Sequence, residues 1–219
     1  MKRVLIALAL SAPLFIAAAD EAAPAAAAKD AQKDVFTQGD ATAGATKATA
    51  CFACHGPGGN GAINPDWPKL AGQHSSYIAG ELAEFKSAKR KNPVMLGQAA
   101  ALSEDDMKNL GAYFAALKAV PGVASKDAVA VAQQLYRAGD AARGLPACAA
   151  CHGPTGAGNA AGQFPRIGGQ NSSYAAAQLK SYKAGERGAE GKGQMMAAIA
   201  GKLSDQEIQA LASYISGLQ

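Results

Sequence analysis

Cys51-Phe52-Ala53-Cys54-His55 decides how this chain is read, because it returns as Cys148-Ala149-Ala150-Cys151-His152. The two pentapeptides hold all 4 cysteines and two of the 3 histidines. Cys-x-x-Cys-His is the spacing of a c-type haem attachment site. Two thiols add to the vinyl groups of the porphyrin, and the adjacent imidazole binds the iron from one face. Two copies predict two haem c groups, held through Cys51 and Cys54 and through Cys148 and Cys151, with His55 and His152 as axial ligands. Other uses of the cysteines fit less well. A structural zinc site gathers four ligands in one small fold, whereas these pairs lie 97 residues apart. A thioredoxin-like redox pair belongs beside a βαβ pattern. Neither accounts for a histidine after both pairs.

Working outward, the match between the halves continues at the same offset of 97. Gly59, Trp67, Pro68, Leu70, Gly72, Gln73, Ser76 and Tyr77 meet Gly156, Phe164, Pro165, Ile167, Gly169, Gln170, Ser173 and Tyr174. Further on the offset is 101, where Met95, Leu102, Ser103, Leu110, Tyr113 and Leu117 meet Met196, Leu203, Ser204, Leu211, Tyr214 and Leu218. Upstream it is 100, where Gly39-Asp40 and Gly44 meet Gly139-Asp140 and Gly144. Length changes confined to two segments predict loops there. A period this long predicts two like domains rather than a solenoid. We assign 34–120 and 127–219 to the domains, joined by a linker at 121–126 where Val120-Pro121-Gly122 breaks the preceding helix.

Alanine is abundant, β-branched residues are few and only 6% of residues are aromatic, a composition that favours helix over sheet. A core of such residues is thin, and two porphyrins would supply much of its apolar surface. The spacing predicts a helix over Ala128 to Tyr136 that presents Val129, Ala132, Leu135 and Tyr136. Further helices are expected from Ser75 to Ser87, with Tyr77, Leu82 and Phe85 inward, and from Ser172 to Lys183, with Tyr174, Leu179 and Tyr182 inward. Ser103 with Asp106, and Ser204 with Glu207, are N-terminal caps for a last helix in each half. Met107, Leu110, Phe114 and Leu117 share one face of the first such helix, and Ile208, Leu211, Ile215 and Leu218 one face of the second.

The second iron ligand follows from the repeat. A thioether is a soft ligand, and a His/Met pair raises the reduction potential. Met95 and Met196 hold equal positions, each in a glycine-rich loop context seven residues before Leu-Ser. Met195 pairs with Val94, Met107 with Ile208, and His74 with Asn171, so these three are set aside: Met107 as core, His74 as a surface loop residue. The axial imidazoles need an acceptor for their other ring N–H, and the carbonyls of Pro68 and Pro165 are the candidates. Trp67 and Phe164 are expected at the haem edge.

The amino terminus reads as a secretory signal peptide over 1–19, with Lys2 and Arg3 at its charged start, an apolar run from Val4 to Ala18, and Ala17-Ala18-Ala19 before the cut. Asp20 is then the mature start, and 20–33 an alanine- and proline-rich flexible tether. Export to the periplasm agrees with haem attachment, which is an extracytoplasmic process. Without Lys2 and Arg3 the chain has 19 basic against 17 acidic residues, a balance that gives no reason to expect a nucleic-acid partner. One local excess, Lys86, Lys89, Arg90 and Lys91 ahead of Met95, reads first as a solvated helix end, with a docking patch for an acidic redox partner as the sharper alternative.

Together the doubled Cys-x-x-Cys-His-Gly, Pro68-Lys69-Leu70-Ala71-Gly72-Gln73 with Pro165-Arg166-Ile167-Gly168-Gly169-Gln170, and the Met…Leu-Ser…Tyr helices resemble the dihaem cytochrome c4 family. The resemblance runs from about Gly39 to Leu218. It implies an all-α chain of two tandem class I cytochrome c domains, each folded around one covalent haem, with the haems packed face to face across the domain interface. It implies a periplasmic electron carrier without catalytic turnover. Such a carrier passes single electrons from a quinol-oxidising complex or other donor toward a terminal oxidase, in peripheral contact with the inner membrane. Two other readings share the motifs: the cytochrome subunit of a flavin-dependent sulfide dehydrogenase, and a dihaem peroxidase or thiosulfate-oxidising enzyme. The enzymes require an unusual or labile ligand at one iron, which the two matched methionines argue against.

Overall fold

A computed structural model describes residues 39–61 and 64–219. The signal peptide, the tether and residues 34–38 of the first domain lie outside the described residues. The described chain is helical, and its only strand-like pairings are the isolated bridges Asp140 to Leu145 and Asn159 to Phe164. None of its helices is long and apolar enough to cross a membrane.

The first half runs α1 (Ala41–His55), α2 (Ser75–Lys86), α3 (Pro93–Ala100) and α4 (Glu104–Ala116). The second runs α5 (Lys126–Ala138), α6 (Cys148–His152), α7 (Ser172–Lys183), α8 (Gly191–Ala200) and α9 (Asp205–Ser216). In each half the last helix is the hub. α1 and α2 pack on α4, and α5 and α7 pack on α9. Both hubs begin with the expected reciprocal caps. Ser103 Oγ accepts from Asp106 N–H while Asp106 accepts from Ser103 N–H, and Ser204 with Glu207 does the same. Such caps satisfy donors that a helix start leaves unpaired.

Each half has its own core. Ala48, Ile78, Leu110, Tyr113 and Phe114 form the first, with Cys51, Phe52 and Leu70 against it. Tyr136, Leu145, Leu203, Ile208, Leu211 and Ile215 are among the residues of the second, with Cys148 and Ile167 against it. Of the residues expected on one face of the hubs, Met107, Leu110, Phe114, Ile208, Leu211 and Ile215 are buried. Leu117 caps α4, and Leu218 is buried beyond the end of α9.

The structure corrects two expected loops. The segment between Asp40 and the cysteines is not a loop in the first half: α1 runs unbroken from its Asp40 cap through His55. In the second half the equivalent Asp140 caps only a single 3-10 turn, Ala141–Arg143, before the chain restarts as α6. Pro146 is the physical difference, since it has no N–H to give a helix interior and its ring clashes with the preceding turn. The length change before the methionines does fall in loops, at 87–92 and 184–190, but the methionines themselves are helical. Met95 lies in α3, which Asn92 caps and Pro93 opens, and Met196 lies in α8. A proline at the first helical position costs no hydrogen bond, and the alanines that follow favour helix.

The two halves are pinned together by reciprocal contacts. Gln73 Oε1 accepts from Arg166 N–H at 2.9 Å while its Nε2 donates to Arg166 O at 2.8 Å. Gln170 repeats both bonds with the main chain of Lys69, at 2.8 and 3.0 Å. The connection between α4 and α5 is held as well. Lys69 Nζ and Asn60 bind the backbone of Val120 and Lys118, and Gly122 N–H donates to Ser216 O at 2.9 Å.

Candidate haem-binding sites

The cysteines of each motif are three residues apart on helical backbone, so both thiols face one side of α1 or of α6. None of the four is in a disulfide, and all are half-buried. Burial pushes the Cys51 thiol above its ordinary value and the Cys148 thiol up to about 11. Each histidine closes its helix and is buried, His55 at 8% and His152 at 7% exposure. A glycine follows each at φ 76°, in the left-handed region, which turns the chain sharply away.

The chain then returns a carbonyl to the imidazole. His55 Nδ1 is 2.8 Å from Pro68 O, and His152 Nδ1 is 2.9 Å from Pro165 O. A carbonyl can only accept, so Nδ1 carries the proton and Nε2 is left as the basic nitrogen. Burial pushes both imidazoles below their ordinary value, against an opposing pull from these carbonyls. The neutral tautomer is therefore fixed at both sites. Phe164 meets the His152 ring edge-on at a centroid distance of 6.4 Å, while Trp67 is 37% exposed.

Met95 and Met196 are both half-buried, on helices that follow α2 and α7. Met195 is 48% exposed, and Met107 is buried at 4% exposure. His74 is not a surface loop residue: it is half-buried at the N-cap of α2. Among the described residues, no three His, Cys, Asp or Glu side chains converge as a metal-holding group. The arrangement fits a porphyrin. It offers paired half-buried thiols, an oriented neutral imidazole and a small apolar core in each half. Arg166 Nε is also buried without a hydrogen-bond partner.

The basic segment before Met95 is not a docking patch as a whole. Arg90 turns inward, its side chain 11% exposed, and pairs with Glu81. It also donates to Tyr174 Oη at 3.0 Å and Gln178 Oε1 at 2.8 Å in the other half. Lys89 pairs with Glu190, and Lys86 donates to Leu102 O. Tyr77 and Tyr174, expected to face their own cores, aim their hydroxyls across the interface at Arg187 and Arg90. Sequence reasoning missed this cluster, although Tyr77, Glu81 and Arg90 match Tyr174, Gln178 and Arg187 at the same offset of 97.

The cytochrome c family profile matches residues 41–118 and 129–219. Cytochrome c4 of Pseudomonas aeruginosa is 43% identical over 180 residues, 82% of this chain and 89% of that one. A thiosulfate dehydrogenase electron acceptor of Stutzerimonas stutzeri is 38% identical over 196 residues, 88% of each. The crystal structure of reduced recombinant cytochrome c4 from Pseudomonas stutzeri superposes with a TM-score of 0.79 at 39% identity, covering 83% of this chain and all of that one. Two cytochrome c domains, two Cys-x-x-Cys-His sites and these relatives lead to one assignment: the chain belongs to the dihaem cytochrome c4 family and carries two covalently bound haem c groups.

Proposed function

We propose that the protein is a periplasmic carrier of single electrons between respiratory partners, with electrons leaving toward a terminal oxidase. Cys51 and Cys54, and Cys148 and Cys151, form the thioether bonds. His55 and Met95 would hold one iron, and His152 and Met196 the other. Haem supplies a one-electron ferric/ferrous couple. With both pairs of side chains engaged, neither iron would keep a position for a substrate, and thioether ligation would raise the potential. Pro68 and Pro165 hold the imidazole rings in one orientation and tautomer, so the ligand set need not rearrange between oxidation states. The observation that carries this reading is the doubled imidazole–carbonyl bond, each followed by a matched half-buried methionine.

Spectroscopy of the purified protein tests it. Two low-spin haems with a methionine-to-iron charge-transfer band are expected. M95A and M196A should each remove that band from one haem only, while M107L leaves both intact. A wild-type high-spin haem that binds peroxide would overturn the carrier reading in favour of an enzyme.

The likeness to a thiosulfate dehydrogenase electron acceptor favours a second donor within the same reading. Here the electrons arrive from a thiosulfate-oxidising enzyme. Reduction of the purified protein by such an enzyme and thiosulfate, compared with reduction by a quinol-oxidising complex, separates the two.

A further inference from the structure

Two arginines and one carboxylate lie largely out of solvent where the halves meet, at positions where the repeat has room for two carboxylates. Glu81 and Gln178 are equivalent residues of α2 and α7, and Arg90 and Arg187 are equivalent residues just beyond them. Each arginine binds its own half and crosses to the other. Arg90 pairs with Glu81 and reaches Tyr174 and Gln178. Arg187 binds Gln178 Oε1 at 2.8 Å and reaches Tyr77 Oη at 2.9 Å and Glu81 Oε1 at 2.6 Å. Both guanidiniums also lie over equivalent rings, Arg90 over Phe85 and Arg187 over Tyr182. The side chains are 8 to 16% exposed.

Buried charges are tolerated only when paired. Among the described residues Glu81 is the carboxylate in ion-pair contact with both arginines. Gln178 accepts from the same two arginines through a neutral oxygen. The cluster is thus symmetric in shape and asymmetric in charge. We propose that Glu81 is the positioning residue that holds the two haem domains in one fixed relation, and that position 178 is geometrically equipped to do the same work. The proposal rests on the carrier reading only for its consequence, which is that electron exchange between the haems needs that fixed relation.

The main-chain N–H groups of Lys69 and Arg166 report the docked state, because each donates across the interface to Gln170 or Gln73. Their hydrogen exchange in the haem-loaded full chain reads interface opening even when the open form is rare. E81Q should lower protection at these two amides about 100-fold, as expected for loss of one partner of a buried pair. Amides inside α4 and α9, such as those of Leu110 and Leu211, should be unaffected. The swap E81Q/Q178E should restore protection to within about threefold, and electron exchange between the haems should slow and recover in parallel. Unchanged protection in E81Q, or a swap that fails to restore it, would overturn the proposal. If E81Q fails to accumulate with both haems, Q178E alone decides. A second carboxylate between two arginines should raise protection, and a fall or no change refutes the symmetry. A high-spin, peroxide-binding haem found alongside the expected amide pattern would remove the carrier reading and leave the positioning role standing.

Discussion

At each candidate histidine ligand the orienting group is a main-chain carbonyl, and this makes that side of the site robust to side-chain change. Pro68 and Pro165 contribute an oxygen that no substitution removes. The methionines are different, because everything they offer is in the side chain. Met107 shows the contrast. It is 4% exposed in the core, so M107L should cost less than about 1.5 kcal/mol as a volume-conserving swap. Thermal unfolding of the haem-loaded protein measures this, and both charge-transfer bands should remain. The repeat sets how far candidate ligands were legible in the sequence. Chemistry alone left several methionines and His74 as candidates. The second copy reduced them to one per domain, because Val94, Ile208 and Asn171 cannot ligate where Met195, Met107 and His74 stand. What the residues could not reveal was backbone state. Glycines around Met95 and Met196 suggested loops, but Asn92-Pro93 and the following alanines nucleate helix.

Among the elements, the hub helices α4 and α9 carry most of each fold, and they are approached differently. α1 crosses α4 so closely that a Cβ on Gly44 would fall 2.1 Å from Asn109 O. G44A should therefore destabilise the first half by about 1–3 kcal/mol, while the second half, where Gly144 is in a turn, gives no such effect for G144A through helix crossing. Domain-resolved thermal unfolding, read at each haem, checks this. The cap of α9 has a pH signature. Arg143 bonds Glu207 at 2.7 Å and holds its carboxyl well below the ordinary 4.5, at about 2. A depressed carboxylate contributes its stability in full above the unfolded value and loses it as pH falls through the folded one. The second half should thus weaken between about 4.5 and about 2, and E207Q should flatten that part of an acid titration of its unfolding temperature. The capping residues were visible in sequence because Ser-x-x-Asp and Ser-x-x-Glu satisfy local donors. The unequal first helices were not, because the register matched Asp40 with Asp140 while the difference came from the single Pro146.

Taken whole, the molecule is two small cores joined by contacts that the linear reading scattered. Lys86, Lys89, Arg90 and Lys91 form a run in sequence, yet only spatial placement separates the inward-turned Arg90 from its exposed neighbours. The signal lay in the repeat, where Arg90 and Arg187 recur with Tyr77 and Tyr174. The glutamine contacts make a further expectation at this scale. Q73A strips both bonds from the Arg166 main chain, at a cost of about 1–3 kcal/mol in docking. Exchange at the Lys69 amide should speed up along with that at Arg166, although Gln73 does not touch Lys69, because the halves open as one event. Independent behaviour of the two amides would contradict single-step opening. The reciprocity of these contacts has a deeper consequence. Gln73 reads Arg166 as Gln170 reads Lys69, so the surface is self-complementary in the manner of an isologous dimer. Two detached copies of one such domain would meet by the same rule, and only at high concentration. The tethered stretch between α4 and α5 replaces that concentration with an effective one set by its length. Because recognition is of main chain, lysine and arginine can stand at positions 69 and 166 without altering the pairing. Each half is therefore free to diverge in side chains, and in the electrostatic setting of its haem, while remaining a faithful partner to the other.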